Sequence, residues 1–175
     1  MTRLTVLAAT VLLAASLPSA CTSTPMPATP ADAVEFVIVR HAEKAADAGD
    51  DPSLTNAGRA RATALAQALA GTPVAAVYST GYARTRETAQ PTAAAHDLPV
   101  TPYDAREPAD AFAGRLRAAH DRGTVLVVGH SNTVPGLVRA LGAPPAAPMP
   151  ESEFDRYTVV LVPPGGEPRV LVARY

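Results

Sequence analysis

Residues 34–44 read VEFVIVRHAEK, and the fold turns on this stretch. Its first six residues are almost all apolar and mostly β-branched, the signature of a strand buried on both faces. The run then changes at once into Arg40-His41-Ala42-Glu43-Lys44. A buried strand that ends in charge points to a crevice at its C-terminal end.

The same pattern recurs twice further along. Residues 74–79 (VAAVYS) and 124–128 (TVLVV) are short buried strands. The first runs into Ser79-Thr80-Gly81-Tyr82-Ala83-Arg84-Thr85-Arg86, the second into Gly129-His130-Ser131-Asn132. Between them lie helical segments. Residues 55–69 are Ala- and Leu-rich and free of proline until Gly71-Thr72-Pro73. Residues 83–95 are helical in composition, with Pro91 expected to kink or restart the helix. Residues 108–121 place Phe112, Leu116 and Ala119 on one stripe, with Arg115, Arg117 and Arg122 outside. Residues 133–141 carry Pro135 in the first turn, where it is tolerated. Residues 98–103 form a weak, Pro-flanked strand. Residues 157–162 and 169–175 flank Pro163-Pro164-Gly165-Gly166, which predicts an antiparallel hairpin. Alternating strands and crossover helices predict a three-layer α/β/α sandwich with a mainly parallel central sheet and a C-terminal antiparallel hairpin.

The chain of 175 residues is of single-domain size. Its formal net charge of −1 and its lack of Trp give no electrostatic or stacking basis for binding nucleic acid. One Cys excludes a disulfide framework and any multi-Cys zinc site. Residues 1–20 read as a secretory signal: Arg3 is the positive end, and residues 4–17 are an apolar run too short to span a membrane comfortably. Leu17-Pro18-Ser19-Ala20-Cys21 resembles a bacterial lipoprotein box, which implies a lipidated Cys21 and membrane attachment. An ordinary cleaved signal with an incidental Cys is the alternative. Either way the protein is expected in the bacterial cell envelope. Residues 21–33 are rich in Pro, Ser and Thr and read as an extended tether. The domain proper is expected over residues 34–175.

If the three strands are neighbours, two His and two Arg converge on one crevice. No paired carboxylates accompany the histidines at ligand spacing, so a metal site is disfavoured. Two Arg with two His form an anion cage: guanidinium forks match phosphate oxygens, and a His can attack phosphorus.

These residues resemble the histidine phosphatase superfamily, the phosphoglycerate mutase-like proteins. Arg40-His41-x-Glu43 is similar to its Arg-His signature. Leu54-Thr55-x-x-Gly58, Ser79-x-x-x-x-Arg84-Thr85-x-x-Thr88-Ala89 and Val128-Gly129-His130-Ser131-Asn132 resemble its following elements, in the same order. One departure is Ala42, where most members have Gly. The resemblance implies a phosphomonoester hydrolase that needs no metal or cofactor and acts on a small phosphorylated substrate. His41 is the implied nucleophile, giving a phosphohistidine. Arg40, Arg84 and a protonated His130 are implied to hold the phosphoryl oxygens. The family's general acid lies in the loop after the third strand. Asp104 is the choice here, Glu107 the fallback, and an acid-less site of the phosphohistidine-phosphatase type stays open. Glu43 either orients Arg40 or faces water, and Asn132 is read as a helix cap. Specificity is expected from residues 44–52, Tyr82, residues 103–109 and residues 143–151. A non-catalytic phospho-ligand-binding lipoprotein is the alternative from outside enzymology, although a binder has no need of the nucleophile.

Overall fold

The computed structural model describes residues 32–46, 49–144 and 148–175. The expected signal and nearly all of the expected tether, Cys21 included, lie outside them. Strand β1 is Val34–Arg40, β2 Val74–Thr80, β3 Val100–Tyr103, β4 Gly123–Gly129, β5 Arg156–Val162 and β6 Arg169–Arg174. The helices are α1 (Asn56–Leu69), α2 (Ala83–Ala95), α3 (Ala109–Ala119) and α4 (Val134–Ala140).

These strands form one six-stranded sheet in the order β3-β2-β4-β1-β5-β6. The β1–β4, β4–β2 and β2–β3 pairs are parallel. β5 runs antiparallel to β1, and β6 closes the expected hairpin against it. β1 is buried along its whole length because both of its faces are covered. Its residues alternate between two cores. Phe36 and Ile38 join Phe112, Leu116, Leu137 and Val138 of α3 and α4. Val37 and Val39 join Leu65, Leu69, Ala89 and Ala93 of α1 and α2. Burying each large aliphatic side chain contributes roughly 1.5–3 kcal/mol, so a polar substitution anywhere along β1 is expected to be costly. Among the described residues, no helix is long and apolar enough to cross a membrane.

Two local expectations are corrected. Helix α2 runs unbroken through Pro91; it is held by packing on α1 and β2, which outweighs the one backbone hydrogen bond a proline removes. On α3 the buried stripe is Phe112, Ala113 and Leu116, while Ala119 is exposed at the helix end. At the amino end Ala33, just before β1, is also buried.

The parallel pairing fixes where chemistry can sit. β1 and β4 are in register, with Arg40 opposite Gly129. His41 and His130, each the next residue, therefore leave the sheet side by side at its C-terminal edge.

Candidate active site

His41 is buried, and its backbone N–H donates to Gly129 O at 2.9 Å, tying the two strand ends together. Its Nδ1 lies 2.7 Å from Ala42 O. A carbonyl oxygen can only accept, so Nδ1 carries the proton and Nε2 keeps its lone pair. Burial lowers the His41 pKa to about 4; the Ala42 bond partly opposes this, and Arg40, His130 and Arg84 reinforce it. At neutral pH the imidazole is therefore neutral and nucleophilic.

The backbone behind His41 is braced on two sides. Ala42 N–H donates to Thr88 Oγ1 at 3.0 Å, and Thr88 Oγ1 donates on to Arg84 O at 2.7 Å. Thr55 N–H donates to Glu43 O at 2.9 Å, and Thr55 Oγ1 caps α1 by accepting from Gly58 N–H at 3.0 Å. A Cβ on Gly58 would stand 2.3 Å from Glu43 O, so glycine is required for α1 to approach this loop. The methyl of Ala42, where a glycine is usual, is fully buried against Leu54 and Ala62 and does not disturb the strand end. The open question over Glu43 is settled by Arg61, whose Nη2 pairs with its Oε1 at 2.6 Å and holds its carboxyl below the usual range. Glu43 thus anchors the loop to α1 rather than orienting Arg40.

The ring of His130 meets His41 edge-on, centroid to centroid 5.5 Å. Its Nε2 lies 3.1 Å from Thr80 Oγ1, which lies 2.7 Å from Thr85 Oγ1. Thr85 Oγ1 in turn donates to the carbonyls of Tyr82 (2.8 Å) and Thr80 (3.1 Å). With its own proton so used, Thr85 accepts from Thr80, and Thr80 accepts from His130 Nε2–H. The chain of hydroxyls fixes the tautomer and leaves Nδ1 as the free ring nitrogen. Burial lowers the His130 pKa to about 4, and Arg84 and Arg40 add to the effect. In the ligand-free site two guanidiniums and a desolvated pocket disfavour a third positive charge at His130.

The two arginines are held differently. Arg40 is buried and clamps the loop before β5: Nη1 donates to the carbonyls of Pro150, Glu151 and Glu153 at 2.8–3.3 Å, and Nη2 to Glu151 Oε2 at 2.6 Å. Its guanidinium lies 4.3 Å from the Phe154 ring centre. Arg84 lies 4.3 Å from the Tyr82 ring centre and 3.7 Å from Asp51 Oδ1, and among the described residues it donates no hydrogen bond. The Nε atoms of both arginines are buried without a partner. A buried cationic N–H without an acceptor is costly, and an anion's oxygens are what would relieve it.

Arg40, His41, Arg84 and His130 line a cleft of about 360 Å³, joined by Lys44, Tyr82, Arg106 and Glu151. The four cage residues read from the sequence thus come together, with contributions from each of the four predicted specificity regions. The general-acid candidates do not join them. Asp104 is exposed, and its carboxylate accepts from Arg106 N–H at 2.9 Å in a tight local turn. Glu107 points back onto α3, paired with Arg115 at 2.6 Å. Among the described residues the carboxylate that lines the cleft is Glu151, which the sequence placed only within a specificity loop, residues 143–151. Its Oε1 accepts from Ser131 Oγ and its Oε2 from Arg40, both at 2.6 Å. These two partners, Ser131 foremost, keep its carboxyl below the usual range, so it stays ionised. Phe154 was also missed, since an isolated Phe before a hairpin carries no signal; Thr80 and Thr85 stood in the quoted strand end, but their link to His130 appears only in the tertiary contacts. Asn132 makes no cap, since the capping position of α4 is Thr133, and Asn132 lies exposed at the cleft. Among the described residues no group of three or more His, Cys, Asp and Glu side chains could hold a metal ion.

Residues 36–107 match the model of the histidine phosphatase superfamily (branch 1). No curated protein matches the chain. Among solved structures, the protein histidine phosphatase SixA complexed with tungstate is 22% identical at a TM-score of 0.66, covering 80% of this chain and 96% of its own. A candidate phosphohistidine phosphatase SixA from Nakamurella multipartitia is 27% identical at a TM-score of 0.56, covering 83% and 98%. A mycobacterial glucosyl-3-phosphoglycerate phosphatase is 18% identical at a TM-score of 0.62, covering 81% and 99%. The first and third of these likenesses are of fold.

Proposed function

We propose that this chain, a histidine phosphatase superfamily protein by its match over residues 36–107 and by its fold, hydrolyses phosphoesters through a phosphohistidine on His41. The observation that carries this reading is a neutral, tautomerically fixed imidazole between two guanidiniums with unpartnered buried N–H groups. His41 Nε2 attacks phosphorus as the bond to the leaving oxygen breaks, and the electron pair departs with that oxygen. Arg84, the Arg40 Nε–H and His130 Nδ1 hold the equatorial oxygens. The proton that His130 needs at Nδ1 arrives with the phosphoryl group, because a bound anion offsets the two guanidiniums that keep the free ring neutral. Water then attacks the phosphohistidine, the N–P bond breaks, and phosphate leaves. Charge balance rests on Arg and His, so the reaction is expected to proceed without a metal.

Among substrates, the geometry favours leaving groups that depart without a carboxylic acid. Among the described residues that line the cleft the carboxylate is Glu151, which is ionised and holds no proton to give; Asp104 accepts from Arg106 N–H and Glu107 pairs with Arg115. That favours P–N bonds such as phosphohistidine, and aryl esters, over alkyl phosphates. The likeness to two SixA proteins supports the same choice. A leader over residues 1–20 and a lipid on Cys21 would place this activity in the cell envelope; radiolabelled palmitate incorporation, lost in Cys21→Ser, tests that part. The catalytic reading is tested by acid-labile, base-stable phosphate label on the wild-type chain during turnover in excess EDTA. Absence of label, or loss of turnover on chelation, overturns it.

A further inference from the structure

Beside the cleft lies a second cavity, of about 190 Å³, at the C-terminal end of the sheet under α3 and α4. Its walls include Ile38, Phe112, Val134 and Leu137. The polar groups around it are mostly engaged already. Tyr103 lies stacked on Phe112, centroids 4.1 Å apart, and its hydroxyl donates to Val128 O at 3.3 Å. Thr133 Oγ1 accepts from His130 N–H at 3.0 Å. Glu107 is spent on Arg115. A charged group entering here would lose its hydration and find no counter-charge, whereas an apolar group would lose nothing. An apolar cavity of about 150 Å³ is large enough for benzene, so this one accommodates a ring and its linking carbon.

The cavity adjoins the cleft and shares a wall with it. Ala105, Asn132 and Thr133 line both it and the cleft that holds His41 and His130. Its place at the strand ends is where open α/β sheets bind ligands.

We propose that this cavity is a leaving-group subsite that takes an uncharged, ring-sized part of the substrate, making ring-bearing phosphoryl compounds the preferred class. The proposal rests on the phosphatase reading for the phosphoryl end only. Gly136 and Ala109 line the cavity from α4 and α3 and belong to neither histidine nor either arginine. A Cβ on Gly136 meets only Ala109 Cβ within 4 Å, at 3.6 Å, an ordinary contact, so a larger side chain there fills space rather than breaking the backbone.

The test uses phosphonates, which bind without being cleaved. Dissociation constants of methylphosphonate, benzylphosphonate and 2-phenylethylphosphonate are measured by calorimetry on the wild-type protein and on Gly136→Val and Ala109→Leu. Wild type should bind the better aryl compound at least about 10-fold more tightly than methylphosphonate. Each variant should reduce that preference to within about 3-fold while leaving methylphosphonate binding within about 2-fold. Equal affinity in wild type, an unchanged preference in both variants, or no binding of any phosphonate overturns the subsite. Hydrolysis of p-nitrophenyl phosphate by the same preparations reports on the catalytic reading separately. Aryl preference without hydrolysis keeps the subsite and removes the phosphatase; hydrolysis without aryl preference does the reverse.

Discussion

Lowering the pH from 7 to 5 should leave this enzyme active, although an ordinary pair of histidines would be switched off. On the proposed mechanism the competent free site holds His41 and His130 both neutral, the first to attack and the second to receive a proton with the substrate. With both pKa values at about 4, about 80% of the molecules have both rings neutral at pH 5. At the unperturbed value of about 6.5, only about 0.1% would. The predicted difference is therefore nearly three orders of magnitude in kcat/KM at pH 5, which reports on free enzyme and free substrate. The limb above the optimum has another origin. His130 is neutral in the free enzyme, so the proton must enter on the substrate monoanion, and kcat/KM should decline above the second ionisation of the ester, about 6 for an alkyl phosphate. The assay is kcat/KM from pH 4 to 8 with two substrates of different second pKa. The alkaline limb should move with the substrate, and the acid limb should stay near 4 for both. An acid limb near 6.5, or an alkaline limb that ignores the substrate, refutes the assignment of both rings as neutral.

Replacing His41 by Ala should remove p-nitrophenyl phosphate hydrolysis to below about 1% while circular dichroism stays native; more residual activity points to another nucleophile. Arg84→Ala should cost on the order of 10²–10³ in kcat with little change in melting temperature, because among the described residues the Arg84 side chain donates no hydrogen bond, whereas Arg40→Ala should lower both kcat and the melting temperature by releasing three loop carbonyls. Asp104→Asn should change hydrolysis of alkyl and nitrophenyl phosphates alike and by less than about 3-fold; a loss of about 10²-fold or more confined to the alkyl ester would restore Asp104 as the acid. Stability should fall as pH drops from about 6.5 to about 4, since in that window the unfolded chain binds protons that the folded His41 and His130 refuse; thermal melts of His130→Asn should show a shallower fall.

The alternation of buried strands and helices, the hairpin, and the four cage residues were legible in the sequence because each is local. A strand buried on both faces must be continuously apolar, and Arg-His, Arg and Gly-His stand directly at strand ends or one turn into a helix. Parallel pairing then carries them to one edge of the sheet. What lay beyond reach depends on where loops fold back in space. The general-acid candidates are the clearest case: residues 104–107 follow β3 as the resemblance leads one to expect, yet Asp104 accepts from Arg106 N–H, Glu107 pairs with Arg115, and neither lines the cleft. Glu151 is 111 residues from Arg40 in the chain and 2.6 Å from it in the fold. The charge of His130 likewise could not be read from its neighbours in sequence, because a pKa answers to burial and to two guanidiniums brought from other strands. Sequence by itself determined which groups could do phosphoryl chemistry and on what scaffold, because backbone periodicity and strand-end placement are short-range properties. Only the tertiary structure decided their protonation, their partners and the apolar space beside them, because electrostatics and packing act through distance in space rather than along the chain.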